Sequence, residues 1–173
     1  MVVTNAAQTD LGLAHELDAP PWLRVESTLM ATANAIRSAY DERLADLGLT
    51  LSLASLLAYV ADFGPVNQTR AAEHLGQGRA VTGTQIDRLQ GCGLVERRPD
   101  TADRRVWLVA ITAAGAEVAI AITDVDRVLR AELRAGISRA DRQTLAATLV
   151  RLQHNLRPSA TEGPHVTNTG DTT

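Results

Sequence analysis

The sequence is poor in several residue types, and each scarcity excludes a class of protein. It has one cysteine, Cys92, in 173 residues, so it forms no intramolecular disulfide, as is typical of proteins in a reducing cytoplasm. No apolar run approaches the roughly 18 residues that a membrane span needs. The N-terminus lacks the basic and apolar segments of a signal peptide. We therefore expect a cytoplasmic protein without membrane contacts.

Aromatic residues and lysine are also scarce. Aromatics make up 3% of the chain and hydrophobic residues 45%, which predicts a core of Leu, Val, Ile and Ala between packed helices. Lysine is absent, so the 17 Lys and Arg positions are all arginine. A GC-rich coding bias accounts for the absence of lysine. Every one of these cations is nevertheless a planar guanidinium group, which is suited to bind phosphate and guanine.

The net charge of −3 is unevenly distributed along the chain. Residues 67–111 hold seven arginines against five acidic residues, so this segment carries +2 and the rest of the chain carries −5. A modestly basic segment between acidic ends fits a nucleic-acid-binding domain held on an acidic scaffold.

Motifs of catalysis and metal binding are missing. There is no glycine-rich phosphate loop, no GxSxG nucleophile elbow and no carboxylate pair with a matching histidine. No two histidines lie at metal-ligand spacing on one helix; they are His15, His74, His154 and His165. We therefore expect neither an enzyme nor a metal or cofactor site.

Helical periodicity divides the chain into a central domain and two outer parts. Residues 20–49 carry one apolar stripe, and residues 113–157 carry two more, separated at Gly136. Such stripes are too long for a small central domain to cover, which predicts a homodimer built from these outer helices. Residues 1–19 are expected to form a flexible arm and residues 158–173 a disordered tail.

The central segment, residues 50–112, has the pattern of a helix-turn-helix. Asn67 is a suitable N-cap for a short helix. Residues 76–78 are rich in glycine and form a turn, and a second helix is predicted over residues 79–92.

A β-hairpin is predicted directly after this second helix. Its strands are joined by a polar tip at residues 100–104 and carry arginines at both shoulders, and Thr112 is placed to cap the next helix. Guanidinium groups on such a wing suit a phosphate backbone or a minor groove. The predicted fold is therefore mainly α with a small β-hairpin wing: a winged helix-turn-helix plus terminal dimerisation helices. This fold indicates binding to double-stranded DNA.

These motifs resemble the MarR family, the multiple-antibiotic-resistance type of bacterial and archaeal regulators. The resemblance covers residues 22–156. Its most specific part is the wing, where GLVERRPD is followed by Asp103-Arg104-Arg105 and then by ITAAG. The helix-turn-helix is also similar, at Gly64-Pro65, Leu75-Gly76, Arg79-Ala80 and Asp87-Arg88-Leu89.

The resemblance implies a dimeric repressor that binds a pseudo-palindromic promoter site and is released by a small aromatic or phenolic effector. It also implies that Arg104 reaches the minor groove from the wing tip, while Asp103 and Arg105 brace the hairpin by an ion pair. A two-fold dimer places its recognition helices in successive major grooves, about 34 Å apart.

The recognition helix departs from the family pattern. Gly78, Thr82, Thr84 and Gln85 stand where the family often has serine, a branched apolar residue, arginine and leucine. Gly83 lies inside the helix at a cost of about 1 kcal/mol relative to alanine. We expect base contacts from Arg79, Thr84 and Gln85, with Gln85 able to pair with adenine. The predicted DNA-binding residues are Arg79, Thr84, Gln85, Arg88, Arg97, Arg98, Arg104 and Arg105.

Three further interpretations stay open at this point. An effector cavity is expected near the aromatic residues, although core packing explains each of them equally well. The weak recognition helix is also compatible with a winged-helix protein-interaction module or antirepressor that has lost DNA reading. A redox sensor at Cys92, or a metal sensor on the same fold, is the third, although a small packed residue explains Cys92 as well. The candidate cavity residues are Trp22, Tyr40, Tyr59 and Phe63.

Overall fold

The structure is a computed structural model that describes residues 25–156. Within this range the chain is mainly helical, with one small sheet. The helices are α1 (Val25–Leu44), which is followed by a short 3-10 turn (Ala45–Leu47), α2 (Leu51–Phe63), α3 (Gln68–Leu75), α4 (Arg79–Gly91), α5 (Ala113–Arg134) and α6 (Arg139–Asn155). The strands are β1 (Val66–Asn67), β2 (Val95–Pro99) and β3 (Trp107–Ile111).

Local capping chemistry sets several helix boundaries. The Asn67 side chain accepts the backbone N–H of Arg70 at 2.8 Å and so begins α3. The Ser138 hydroxyl oxygen accepts the backbone N–H of Asp141 at 3.2 Å and begins α6. Both caps satisfy amide donors that have no partner within their own helix. The predicted Asn67 cap is confirmed.

The first strand of the wing ends where the predicted polar tip begins. β2 extends through Pro99, so Arg97 and Arg98 lie within the strand and pair across to Val109 and Leu108. The helix-turn-helix boundary agrees closely with the prediction, because α4 ends at Gly91.

A third strand completes the sheet, whose order is β1-β3-β2, with both pairs antiparallel. The sequence did not predict β1. It has only two residues, Val66 and Asn67, which pair with Val109 and Leu108. Two residues are too few to display an alternating pattern, and their pairing depends on a strand some forty positions away in the chain.

The core sits between α2, the rear of α4 and the sheet. Leu56, Leu57 and Val60 of α2 are fully buried, and so are Ile86 and Leu89 of α4. Because these apolar side chains hold one face of α4 inward, the opposite face of that helix is presented to solvent. The remaining core includes Leu44, Leu49, Leu53, Ala54, Tyr59, Val66, Ala71, Leu94, Val95, Val109 and Ile122.

The junction between the wing and α5 explains the ITAAG motif. The Thr112 hydroxyl accepts the backbone N–H of Gly115 at 3.0 Å and thereby caps α5, as predicted. The same hydroxyl donates to the Gly93 carbonyl at 2.7 Å. Gly115 lies against the Leu94 carbonyl oxygen, which a Cβ at this position would approach to 2.0 Å. Glycine is therefore required by close backbone approach.

The outer helices differ in how much of their apolar stripe is covered. Ile122 and Leu129 of α5 are buried within the single chain. Val118 and Val125 of α5 pack against the core beside Ile122, whereas Ile120, Val128 and Leu133 of the same helix are exposed. In contrast, α6 has no buried residue. Its exposed large apolar side chains are Leu145, Val150 and Leu152.

The chain divides into two compact units, one up to Ala131 and one from Glu132. The first holds the helix-turn-helix and the wing, and the second holds the end of α5 and all of α6. No single helix in the range 25–156 is long and apolar enough to cross a membrane; α1 and α2 satisfy the length and composition criteria only as a pair bent by 70°. The predicted arm (1–19), Trp22 and the predicted tail (158–173) lie outside the described residues.

Candidate nucleic-acid interface

The exposed face of α4 is defined by what its other face buries. Thr82 and Ile86 are fully buried, and the Thr82 hydroxyl donates to the Gly78 carbonyl at 3.2 Å. Val81, Thr84 and Arg88 lie at helical spacing on the side that faces solvent. This face is the surface that a winged helix-turn-helix presents to a major groove.

The predicted base contacts differ in how ready they are to reach DNA. Arg79 is exposed at the first turn of α4. Thr84 is exposed, with its hydroxyl donating to the Ala80 carbonyl at 3.2 Å. Gln85 is only half-exposed, and its side-chain oxygen is buried without a hydrogen-bond partner in the described part of the chain. A pair between Gln85 and adenine therefore requires this side chain to rotate outward.

Gly83 has a structural reason for lying inside the recognition helix. The Gln68 side chain, from the first residue of α3, crosses over α4 and donates to the Arg79 carbonyl at 2.8 Å. A Cβ on residue 83 would meet the Gln68 amide nitrogen at 2.9 Å. The glycine thus gives room for a hydrogen bond that joins the two helices of the helix-turn-helix.

Sequence reasoning missed Val81 as a candidate DNA contact. Its side chain is 54% exposed on the recognition helix. It borders a groove of about 340 Å³ between α4 and the start of α2, together with Ser52, Thr84 and Arg88. An exposed branched apolar residue among polar neighbours suits the methyl group of thymine. Its place three residues before Thr84 was the signal that could have found it.

Two aspartates order the wing tip through backbone hydrogen bonds. The Asp100 carboxylate accepts the N–H of Ala102 at 2.8 Å, and the Asp103 carboxylate accepts the N–H of Arg105 at 2.9 Å. The expected ion pair between the Asp103 and Arg105 side chains is not formed among residues 25–156. Asp103 instead braces the tip by a local turn, which leaves the Arg105 guanidinium directed to solvent.

The four wing arginines fall into two groups. Arg98, Arg104 and Arg105 are exposed, and their guanidinium groups contact no hydrogen-bond or ion-pair partner among the described residues. Arg97 differs, because its guanidinium contacts Asp87 at 2.5 Å and Gln90 at 2.6 Å, both on α4. The predicted phosphate contacts are thus available on the tip and at Arg98, whereas Arg97 already has protein partners.

Within residues 25–156 the predicted cavity residues fall in two places: Tyr40 lines one cavity, whereas the rings of Tyr59 and Phe63 lie together, with centroids 4.9 Å apart. A cavity of about 400 Å³ lies between α1, α2 and α5 and includes Tyr40, whose hydroxyl donates to Asp126 at 2.8 Å. Burial raises the pKa of Tyr40, and the hydrogen bond to Asp126 raises it further. Tyr59 and Phe63 lie elsewhere, with Tyr59 stacked on His74 at a ring-centroid distance of 4.0 Å.

The described residues do not form a site of the kind that the redox-sensor or metal-sensor hypothesis requires. Cys92 is exposed at the C-terminal end of α4. No group of histidine, cysteine and acidic residues within residues 25–156 has the arrangement of a metal site.

Comparison with known proteins relates the central domain to a family of regulators. The model of the MarR family matches residues 47–106, a range that includes α2, the helix-turn-helix, β2 and the wing tip. The match includes the helix-turn-helix and part of the wing, and it is shorter than the range 22–156 over which the sequence resembles the family.

Solved structures share the fold at low sequence identity. The DNA complex of MepR from S. aureus has a TM-score of 0.71 at 18% identity and covers 76% of this chain and 98% of that one. A Listeria monocytogenes protein described as a MarR family regulator, complexed with a 26mer DNA, has a TM-score of 0.68 at 18% identity, over 76% and 87%. BpsR of Bordetella bronchiseptica, whose DNA binding is regulated by 6-hydroxynicotinic acid, has a TM-score of 0.71 at 19% identity. The match covers 78% of this chain and 96% of that one.

Proposed function

Residues 47–106 of this chain are a MarR-family domain, and on that premise we propose that the protein is a sequence-specific DNA-binding transcriptional regulator. The observation that carries the proposal is a set of exposed guanidinium groups without partners among residues 25–156, on two elements that a winged helix-turn-helix directs at DNA. They are Arg79 and Arg88 on α4, and Arg98, Arg104 and Arg105 on the wing.

The two elements have different roles in this proposal. α4 lies in the major groove, where Arg79, Val81 and Thr84 contact base edges and Gln85 joins them after rotating outward. Arg88 contacts the backbone. The fold supports this division, because the buried face of α4 leaves Val81, Thr84 and Arg88 outermost.

The wing supplies the second contact. Arg104 at the tip enters the adjacent minor groove, where an arginine recognises groove width and negative potential more than sequence. Arg98 and Arg105 hold phosphates on either side. The backbone turns at Asp100 and Asp103 support this role, because they order the tip without occupying these guanidinium groups.

Residues 20–49 and 113–157 form the dimerisation region in the proposal, and residues 50–112 form the DNA-binding domain. The uncovered apolar side chains of α6 support this assignment, because a single chain leaves them in water. A two-fold dimer binds a pseudo-palindromic promoter site and represses by occupying it.

An effector releases the protein from DNA in the same proposal. The cavity beside Tyr40 is the candidate site, since apolar side chains such as Leu44 and Ile122 line it together with polar groups, a combination that ligand sites commonly have. Its size of about 400 Å³ suits a small aromatic molecule. Binding there favours a conformation in which the two recognition helices no longer match successive major grooves.

Fluorescence anisotropy tests the DNA-binding proposal. The purified full chain is titrated onto DNA from its own upstream region and onto scrambled DNA, across a salt series. We expect tight binding to the native fragment only, with log affinity falling linearly with log salt.

Two variants make the test specific to the wing. Arg104→Ala is expected to weaken binding and to reduce the salt slope by roughly 0.9. Arg127→Ala is the matched control, because Arg127 is exposed on α5 in a surface ion pair with Asp124 at 3.5 Å. Equal weak binding of the wild type to both DNAs contradicts sequence-specific regulation and favours an interaction module that has lost DNA reading.

A further inference from the structure

Arg97 connects the wing to the recognition helix. Its Nη2 atom lies 2.5 Å from the Asp87 carboxylate, and its Nη1 atom donates to the Gln90 side-chain oxygen at 2.6 Å. Asp87 and Gln90 lie three positions apart, on one face of α4. One planar guanidinium thus contacts two side chains that lie about one helical turn apart. The compact ammonium group of a lysine does not reproduce this two-pronged contact.

The position of this contact allows it to constrain the orientation of the wing. The chain between α4 and β2 is only the short segment Cys92–Leu94, in which Gly93 has a positive φ of 72°. Arg97 adds a second attachment beside this turn. Its strand pairs with β3, so the attachment constrains the whole hairpin, including the tip that carries Arg104.

We propose that Arg97 is a positioning residue: it fixes the angle between the wing and α4 and does not bind a DNA phosphate. This inference rests on the proposed function. Among the wing arginines it is the one whose guanidinium is held by protein groups, and its side chain is 30% exposed. The other three extend into solvent without partners in the described residues.

The physical role follows from two-point binding. α4 and the wing tip engage neighbouring grooves of the same duplex, and the second contact is favourable only when the first leaves the tip in reach. A hairpin held at the productive angle loses little freedom on binding. Breaking the Arg97 contacts leaves every DNA-facing group in place but lets the tip move away from its groove.

Asp87→Ala is the decisive variant, because the two explanations predict opposite results. If Arg97 holds a phosphate, deleting the nearby carboxylate removes repulsion toward DNA, and affinity rises or stays unchanged. If Arg97 is a positioning residue, Asp87→Ala weakens binding about tenfold, as does Arg97→Ala. Glu96→Ala is the matched control, since Glu96 is an exposed acid on β2 without a partner in the described residues.

A cycle with Arg104 distinguishes positioning from a general structural role. We expect Arg97→Ala to weaken binding in the wild-type background but to have little further effect after Arg104→Ala, because there is then no tip contact to position. Asp87→Asn, which keeps the size of the side chain, provides the same comparison if Asp87→Ala folds poorly.

A measurement without DNA separates this inference from the proposed function. Amide hydrogen exchange in β2 and β3 is expected to accelerate in Arg97→Ala and Asp87→Ala but not in Glu96→Ala. Unchanged exchange overturns the positioning role, even if the wild type binds no DNA and the proposed function fails. Binding by Asp87→Ala as tight as by Glu96→Ala also overturns it.

Discussion

Replacing Gly115 by alanine tests how closely the start of α5 approaches Leu94, which lies between α4 and β2. The new Cβ would lie 2.0 Å from the Leu94 carbonyl oxygen and 2.9 Å from Ile111 Cγ1. Real contacts at a Cβ do not fall below 3.0 Å, so the backbone has to move by about 1 Å or more. The carbonyl that must move also accepts the backbone N–H of Thr112 at 3.1 Å.

The expected cost follows from these contacts. Overpacking a closely packed site costs about 1–3 kcal/mol, and weakening this hydrogen bond adds about 1 kcal/mol. We therefore expect Gly115→Ala to lower the free energy of unfolding by about 2–4 kcal/mol. For a chain of this length that corresponds to a Tm lower by about 5–15 °C.

Two other glycines, both in the recognition helix, calibrate the effect. A Cβ added at Gly91 would meet no neighbouring atom within 4 Å, so Gly91→Ala is expected to be neutral or to stabilise by up to about 1 kcal/mol. At Gly83 a similar gain in helix propensity is offset by displacing the Gln68 side chain from Arg79, which costs about 1 kcal/mol. Gly83→Ala is therefore expected to change stability little.

Urea and thermal unfolding, followed by far-ultraviolet circular dichroism, measure all three variants. The expected order of stability is Gly91→Ala, then Gly83→Ala, then Gly115→Ala. A Gly115→Ala protein as stable as the wild type would show that α5 does not begin against the Leu94 carbonyl. The explanation given for the ITAAG motif would then be wrong.

Three other predictions concern the binding surface, the cavity and α6. Replacing a contacted thymine by deoxyuridine is expected to weaken wild-type binding about fourfold, since one methyl group contributes about 0.8 kcal/mol. Val81→Ala is expected to bind the two DNAs equally well. If this variant still prefers thymine, Val81 does not contact the methyl group. The pKa of Tyr40 is raised from 10.0 in the folded chain. Its contribution to stability is therefore present below pH 10.0 and is lost as the pH rises through the folded pKa. Tyr40→Phe is expected to lack this loss of stability at high pH, and a variant with the same dependence of stability on pH as the wild type would refute the prediction. Leu145→Asp combined with Leu152→Asp is expected to convert a dimer to a monomer in sedimentation equilibrium, and an unchanged mass would place the dimer contact elsewhere.

Local chemistry made most of the fold predictable from sequence. Asn67 and Thr112 cap their helices as their sequence positions predicted, because capping requires only a side chain two or three residues from the amide that it accepts. The helix-turn-helix and the wing hairpin were predicted for the same reason, since their turns and apolar periods are properties of short segments. The element boundaries differ from the predictions by a few residues.

The candidate site was predicted less completely, because reaching DNA depends on distant packing. Sequence treated Arg97 and Arg98 alike, yet one contacts α4 and the other faces solvent. Gln85 was predicted as a base contact, but its side-chain oxygen is buried. Val81 was overlooked, since its exposure follows from the packing of Ile86 and Leu89 on the opposite face of the helix.

The sequence by itself thus determined where helices, turns and the hairpin begin, which residues could carry positive charge to DNA, and which family the central domain resembles. Only the tertiary structure decided the pairing of β1 with β3, the need for glycine at Gly115, and the partners of Arg97. These features join residues that are distant along the chain or on separate elements. Their energies arise from close packing and hydrogen bonding that exist only after the elements have been brought together.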